Sequence, residues 1–135
     1  MKSTTEYSAG GIVRNRGNIL LVFQKSTRTW AFPKGHIELN ENELEAARRE
    51  IFEETQVDNL CLIKRLGSYV RPTKKSATVI KHITMFLFET EEREIAPQSS
   101  DVSECVWRDL EEVRALLSYK EDLDFFEKIL TRLPR

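Results

Sequence analysis

Cysteine, histidine and long apolar runs are the scarce features of this 135-residue chain. The two cysteines, Cys61 and Cys105, form no metal-ligand spacing, and each sits in an apolar-alternating stretch. They read as core thiols in a reducing cytosol. With only two histidines besides, no nitrogen- or sulfur-rich metal cluster can be assembled. No run approaches the ~20 apolar residues that cross a bilayer, and Met1 to Glu6 lacks a signal-peptide core, so the expectation is a cytoplasmic protein without a membrane partner. A formal net charge of −1 excludes the global basic field of a nucleic-acid binder. Charged residues nonetheless make up 32% of the chain, which implies mixed-sign surfaces rather than disorder. Repeats, linkers and low-complexity segments are absent.

What is present suits a single domain over residues 1–135, long enough for a real core. Tyr7 to Arg14 and Ile19 to Phe23 read as strands joined through the turn residues Asn15-Arg16-Gly17-Asn18, a hairpin. Gly10 and Gly11 inside the first strand point to a bulge or to close approach by a backbone or ligand. Pro33 biases Phe32 toward an extended conformation, and Gly35 allows a turn that a side chain would obstruct. The chain is thus expected to swing from Trp30-Ala31-Phe32-Pro33-Lys34-Gly35 into a helix. Further on, Asp58 to Val70, bent at Gly67, and Ala77 to Glu89 form an antiparallel ribbon across a basic loop, Arg71 to Ser76. Glu89 to Ser103 is the longest candidate loop, and Glu104 to Trp107 is a short strand. Asp109 or a neighbour caps a helix containing Val113, Leu116 and Leu117. A last amphipathic helix, about Glu121 to Leu133, turns Leu123, Phe126, Ile129, Leu130 and Leu133 inward, with Phe125 a further candidate for covering the sheet. The order argues for an α/β fold, a mixed sheet with helices on both faces.

The first helix holds the chemistry. Asn40 with Glu43, or Asn42 with Glu45, supplies a capping box. Leu44, Ala47 and Ile51 form the stripe that packs on a sheet. Glu50, Glu53 and Glu54 stand at i, i+3 and i+4, so three carboxylates share a neighbouring face. Like charges so spaced destabilise an isolated helix by roughly a few tenths of a kcal/mol per pair. Three glutamates alone are more often a solvated surface than a metal site; the neighbouring residues reverse that preference. Arg49 precedes Glu53 by one helical turn and is placed to orient that carboxylate.

Gly35, Glu41, Arg49, Glu50, Ile51, Glu53, Glu54 and Val57 follow the spacing Gly-x5-Glu-x7-Arg-Glu-aliphatic-x-Glu-Glu-x-Gly-aliphatic. Residues 35–57 therefore resemble the Nudix box, the signature of the Nudix hydrolases. Gln56 is the departure, standing where the pattern has the glycine that closes many helices. Ser8-Ala9-Gly10-Gly11-Ile12-Val13 and Trp30-x-x-Pro33-Lys34-Gly35-His36 resemble the bacterial diadenosine polyphosphate hydrolases of that group. The resemblance implies a Nudix-like α/β/α sandwich with a mixed central β-sheet, and a metal held by Glu50, Glu53 and Glu54 with the Gly35 carbonyl assisting. It implies an additional ligand near the short strand, for which Glu104 is the candidate and Asp101 the reserve. Glu50 or Glu53 would be the general base, with Arg49 as their orienting partner. Lys34 would contact phosphate at the entrance to the cluster. Tyr69 and Lys81, on the two strands of the ribbon, would stack on a base and contact phosphate; a Tyr69 half-buried with its hydroxyl in water is the competing reading.

An all-oxygen donor set favours Mg2+ or Mn2+ over Zn2+. The implied reaction is hydrolysis of a phosphoanhydride in a nucleoside diphosphate-linked small molecule, foremost a dinucleoside polyphosphate such as diadenosine tetra- or hexaphosphate. A nucleoside triphosphate (oxidised forms included), an RNA 5′ end and a diphosphoinositol phosphate are the alternatives. Nucleic acid is the less expected partner, although Arg71, Lys74, Lys75 and Lys81 would make a local basic patch. A domain that binds a nucleotide and hydrolyses nothing is the reading from another class. Such modules are expected to lose box carboxylates, and Glu50, Glu53 and Glu54 are all present.

Overall fold

In the computed structural model, which describes residues 4–73 and 76–133, the first strand is the hub. β1 (Thr4–Asn15) turns into β2 (Asn18–Gln24) through Arg16 and Gly17, whose φ angles are 49° and 86°. Two positive φ values in a two-residue loop make a turn that matches the natural twist of paired strands. The hairpin stays paired only at Arg14 with Ile19 and Asn15 with Asn18. Beyond that point β2 leaves to pair with β3 (Thr29–Ala31). β4 (Lys34–His36) takes its place against Ser8, Ala9 and Gly10. Gly10 permits this: a Cβ there would strike the Pro33 carbonyl and Lys34. Close backbone approach, not a bulge, is thus the reason for that glycine.

α1 (Glu43–Thr55) begins only after a further loop. Gly35 itself is extended within β4 instead of turning into the helix, a correction to the sequence reading. Of the two possible caps, Asn42 with Glu45 forms the reciprocal capping box; Asn40 is in the left-handed region at φ 66°. At the other end Gln56 adopts the left-handed conformation, φ 68° and ψ 5°, and donates its N–H to the Phe52 carbonyl at 2.8 Å. A side chain held there is strained by about 1–2 kcal/mol, less the roughly 0.5–1 kcal/mol of extra backbone entropy that a glycine loses on folding. Gln56→Gly should therefore stabilise the fold by about 0.5–1 kcal/mol, seen as a melting temperature higher by about 2–5 °C. An unchanged or lower melting temperature would show that the cap carries no strain.

β5 (Cys61–Thr73) and β6 (Ser76–Glu89) form the expected ribbon. Gly67, at φ 119°, lies at one of its register shifts, so the predicted bend is an irregularity in the ladder. β6 runs parallel to β1 from the Thr4–Val79 pair to the Arg14–Glu89 pair. β7 (Val102–Arg108) pairs with β2. One parallel pair among antiparallel ones gives the mixed sheet that the sequence implied. α1 covers one face, where Ala46, Ala47 and Ile51 meet Ala9, Val13, Phe86 and Phe88. α2 (Leu110–Leu116), capped by Asp109, and α3 (Lys120–Leu130) lie on the other. There Val113, Phe126 and Ile129 meet Ile12, Leu21, Ile83 and Met85.

Three sequence readings are corrected. The buried stripe of α3 is Asp122, Phe125, Phe126 and Ile129, with Leu123, Leu130 and Leu133 only partly buried. Cys61 is exposed rather than a core thiol. Arg71 is no loop residue: it belongs to β5 and is buried. Lys74 and Lys75 lie outside the described residues.

Candidate active site

Gly35 is where the helix and the sheet come closest. A Cβ on Gly35 would overlap the carboxyl group of Glu50, so the missing side chain is what lets this acid rest on the strand. Arg49, the neighbouring residue on α1, organises the carboxylates. Its Nε and Nη2 donate to the two oxygens of Glu41 at 2.7 and 2.9 Å. Nη1 donates to Glu50 at 3.1 Å and to Glu53 at 3.2 Å, and Nη2 also reaches the His36 carbonyl at 2.9 Å. A planar fork of this kind fixes several acids at once in a way that an ammonium cannot. The Arg49 hydrogen bonds pull the Glu41 carboxyl down to about 2.

Glu50 and Glu54 respond in the opposite direction. Burial is the first cause for each. Glu53 adds repulsion at Glu50, and Glu50 adds it at Glu54, whose carboxyl is pushed up to about 8. One Glu54 oxygen accepts the backbone N–H of Lys34 at 3.2 Å. A bound cation would invert that balance and favour the ionised acids. Among the described residues, no three His, Cys, Asp or Glu side chains close into a ready-made cage. Mg2+ does not require one: it binds through one or two carboxylates and leaves its other positions to water and substrate phosphates. Glu50, Glu53 and Glu54, all oxygen donors beside the Gly35 strand, fit such an ion.

Lys34 is buried, 3% exposed, on the strand that carries Gly35. Its ammonium is pushed down to about 7, first by burial and then by the positive charges of Arg71 and Lys81. Lys81 is the cross-strand partner of Arg71, so Tyr69, paired with Ile83, lies one step along the same face from it rather than opposite. Tyr69 packs its ring on Phe125, centroids 4.5 Å apart, and donates its hydroxyl to Asp122 at 2.5 Å. Glu104 is exposed on β7 opposite Phe23, out of phase with Cys105 and Trp107, which pack on the α1 side. Asp101 accepts from the backbone N–H and hydroxyl of Ser26 at 2.9 and 3.0 Å. The structure thus brings Gly35, Arg49, Glu50, Glu53, Glu54 and Lys34 together, with Lys81 near Lys34.

The sequence reading missed a buried set beside Lys34: Ser8, Arg71, Tyr119 and Asp122. Arg71 faces Asp122 at 3.3 Å, both side chains 1% exposed, and its guanidinium lies 3.5 Å from the centre of the Tyr119 ring. One signal was available. Asp122 shares the i, i+3, i+4, i+7 stripe with Phe125, Phe126 and Ile129, and an acid on an apolar stripe calls for a buried partner.

The NUDIX domain family matches this chain over residues 4–129. An RNA pyrophosphohydrolase of Pelagibacter ubique is 31% identical over 124 residues, covering 80% of this chain and 78% of its own. The Phosphatase NudJ of Escherichia coli is 31% identical over 108 residues, covering 76% and 67%. Among solved structures, a C. elegans Ap4A hydrolase binary complex superposes with a TM-score of 0.76 at 22% identity, covering 95% of this chain and 99% of that one. The NUDIX domain of Shewanella oneidensis NrtR complexed with ADP ribose gives 0.79 at 17% identity, covering 98% and 90%. A match over nearly the whole chain, the helix that carries Glu50, Glu53 and Glu54 included, makes this protein a member of the NUDIX family, a hydrolase of pyrophosphate bonds in nucleoside diphosphate-linked substrates.

Proposed function

We propose that the enzyme hydrolyses dinucleoside polyphosphates of the diadenosine tetra- and hexaphosphate type, with Mg2+ or Mn2+ as its cofactor. The observation that carries this reading is the junction at Lys34. Its backbone N–H holds Glu54 of the carboxylate cluster, while its ammonium joins Arg71 and Lys81 on the far side of the strand. An anionic cluster and a cationic one meet at one residue, as a long polyphosphate bridging a metal site and a row of cations requires.

In this reading Glu50, Glu53 and Glu54, with the Gly35 carbonyl, would hold the metal, which would supply charge neutralisation of the phosphates and a lowered pKa for water. Arg49 keeps Glu50 and Glu53 aimed, and one of those two accepts the proton of the attacking water. Lys34 and Lys81 bind phosphate oxygens of the substrate and oppose its charge. Tyr69, engaged with Phe125 and Asp122, acts through Asp122 instead of stacking on a base.

A substrate panel with Mg2+ tests the proposal. It should contain diadenosine tetra- and hexaphosphate, ATP, oxidised dGTP and a 5′-triphosphorylated RNA, run in isotopically labelled water to locate the attacked phosphorus. Dinucleoside polyphosphates should show the highest kcat/KM. A preference for the RNA would replace this reading with a second one, which the 31% identity to an RNA pyrophosphohydrolase favours. Absence of metal-dependent hydrolysis across the panel would end both.

A further inference from the structure

Buried polar atoms nearly always find partners in folded proteins. Among the described residues, four side-chain atoms do not: Ser8 Oγ, Lys34 Nζ, Arg71 Nε and Asp122 Oδ2. Their residues are 1%, 3%, 2% and 0% exposed. They are gathered in one place. Lys34 on β4 pairs with Gly10 of β1, two residues from Ser8 and on the same face. Ser8 pairs across to Ile83 of β6, which faces the α3 layer two residues beyond Lys81. Lys81 in turn pairs with Arg71 of β5. Four neighbouring strands each turn a polar side chain to this face, and Asp122 closes over them from the first turn of α3.

The chemistry of the open atoms limits what can fill them. Three are donors, on Ser8, Lys34 and Arg71, and the fourth, Asp122 Oδ2, is an acceptor; donors on two basic side chains outweigh the one acceptor, so a partner rich in acceptors fits most of the set. Arg71 is oriented but incompletely paired. Tyr119 supports its guanidinium, and Asp122 Oδ1 stands 3.3 Å from Nε without forming a hydrogen bond to it. That same oxygen is already taken by the Tyr69 hydroxyl. A buried charge pair is stable when its remaining hydrogen-bonding capacity is met; here the capacity left open lies beside Lys34.

We infer that Arg71 is a specificity-determining residue that, with Lys34, Lys81 and Ser8, binds a phosphate lying beyond the pyrophosphate held at the α1 carboxylates. The enzyme thereby selects substrates with three or more consecutive phosphates over diphosphate-linked ones. Asp122 and Tyr69 are positioning residues that hold the guanidinium until that phosphate arrives. The inference rests on the proposed function, because it assumes that the cleaved bond sits at the Glu50 cluster.

Substrates of graded phosphate number test it: diadenosine tetraphosphate, ATP and ADP-ribose, each with Mg2+, against wild type, Arg71→Gln, Arg71→Lys and Asp122→Asn. Arg71→Gln should raise KM for the tetraphosphate by about tenfold, the weight of a lost charge-assisted hydrogen bond, and leave KM for ADP-ribose unchanged. Arg71→Lys should recover most of the loss. Asp122→Asn keeps an acceptor for Tyr69 and removes the competing charge, so it should lower KM for the tetraphosphate. The same factor on all three substrates would show that Arg71 is merely structural and overturn the inference, as would no change on any. Should Arg71→Gln fail to fold, Asp122→Asn decides: an unchanged or raised KM for the tetraphosphate overturns it. Calorimetric titration with inorganic tripolyphosphate and pyrophosphate, without metal, reads the same site without turnover. Wild type should prefer tripolyphosphate and Arg71→Gln should not; equal preferences in the two proteins overturn the inference. A wild type that hydrolyses nothing yet shows this binding difference would refute the proposed function alone.

Discussion

Exchanging Glu53 for glutamine should lower metal-dependent turnover by about 10²- to 10⁴-fold, the range expected when a positioned acid or base is removed, while the melting temperature stays within about 1–2 °C. The two halves of this expectation have different sources. Glu53 is half-exposed, with 49% of its side chain open to solvent, and it accepts from Arg49 at 3.2 Å. Glutamine has the same shape and still presents an oxygen to that guanidinium, so little is lost from the fold. The negative charge that a metal or an attacking water needs is lost entirely. A thermal melt and a kcat measured at saturating Mg2+ separate the two effects. Turnover equal to wild type would remove Glu53 from the mechanism, and a collapsed melting temperature would show that its role is structural.

Arg49→Ala should damage both properties. The guanidinium bonds Glu41, Glu50, Glu53 and the His36 carbonyl, and its side chain is 24% exposed. Breaking a fully buried pair costs about 3–5 kcal/mol; partial exposure brings the expected loss here to about 2–3 kcal/mol. Turnover should fall by about 10²-fold or more, because acids misplaced by an ångström lose that much. The pH dependence carries a sign. Glu41 has its folded-state carboxyl near 2 against an ordinary 4.5. Its contribution to stability is therefore complete above about pH 4.5 and is lost as the pH falls toward about 2. Removing Arg49 removes the cause of that shift. Wild-type stability should drop through this acid window more steeply than that of Arg49→Ala, as denaturant melts at successive pH values would show. Parallel acid limbs would mean that Arg49 does not hold Glu41.

Local signals carried most of the active helix. Asn42 with Glu45, the stripe of Ala47 and Ile51, and the spacing of Glu50, Glu53 and Glu54 are decided within a few residues of chain, and the sequence displays them. Gln56 was legible as a departure at the helix end, and the structure accommodates it in the left-handed conformation that a glycine would take. Gly35 was read correctly as necessary but for the wrong reason. Its space is filled by Glu50, on the helix beyond an intervening loop, and no rule of turn or helix formation reveals that contact. The cationic side fared worst for the same reason. Arg71 looked like part of a solvated basic loop because its partners, Asp122 and Tyr119, come from the last helix and the turn before it. Register decides such meetings. A helix stripe one position round, with Asp122 in place of Leu123, was enough to hide them.

The parallel pairing of β1 with β6 has a consequence for the order in which this enzyme comes into being. Arg14 and Glu89, joined at 3.0 Å at one end of that ladder, are separated by 75 residues. During synthesis β1 leaves the ribosome early and waits for its longest partner until more than half of the chain has followed. Closing so long a loop is entropically costly before any contact compensates it, and such pairings form slowly. β4 is short and leans on β1, so the strand that carries Gly35 rests on the same β1 that this late ladder secures on its other side. The carboxylate helix and its strand can meet early, but the sheet that backs them closes late, with β6.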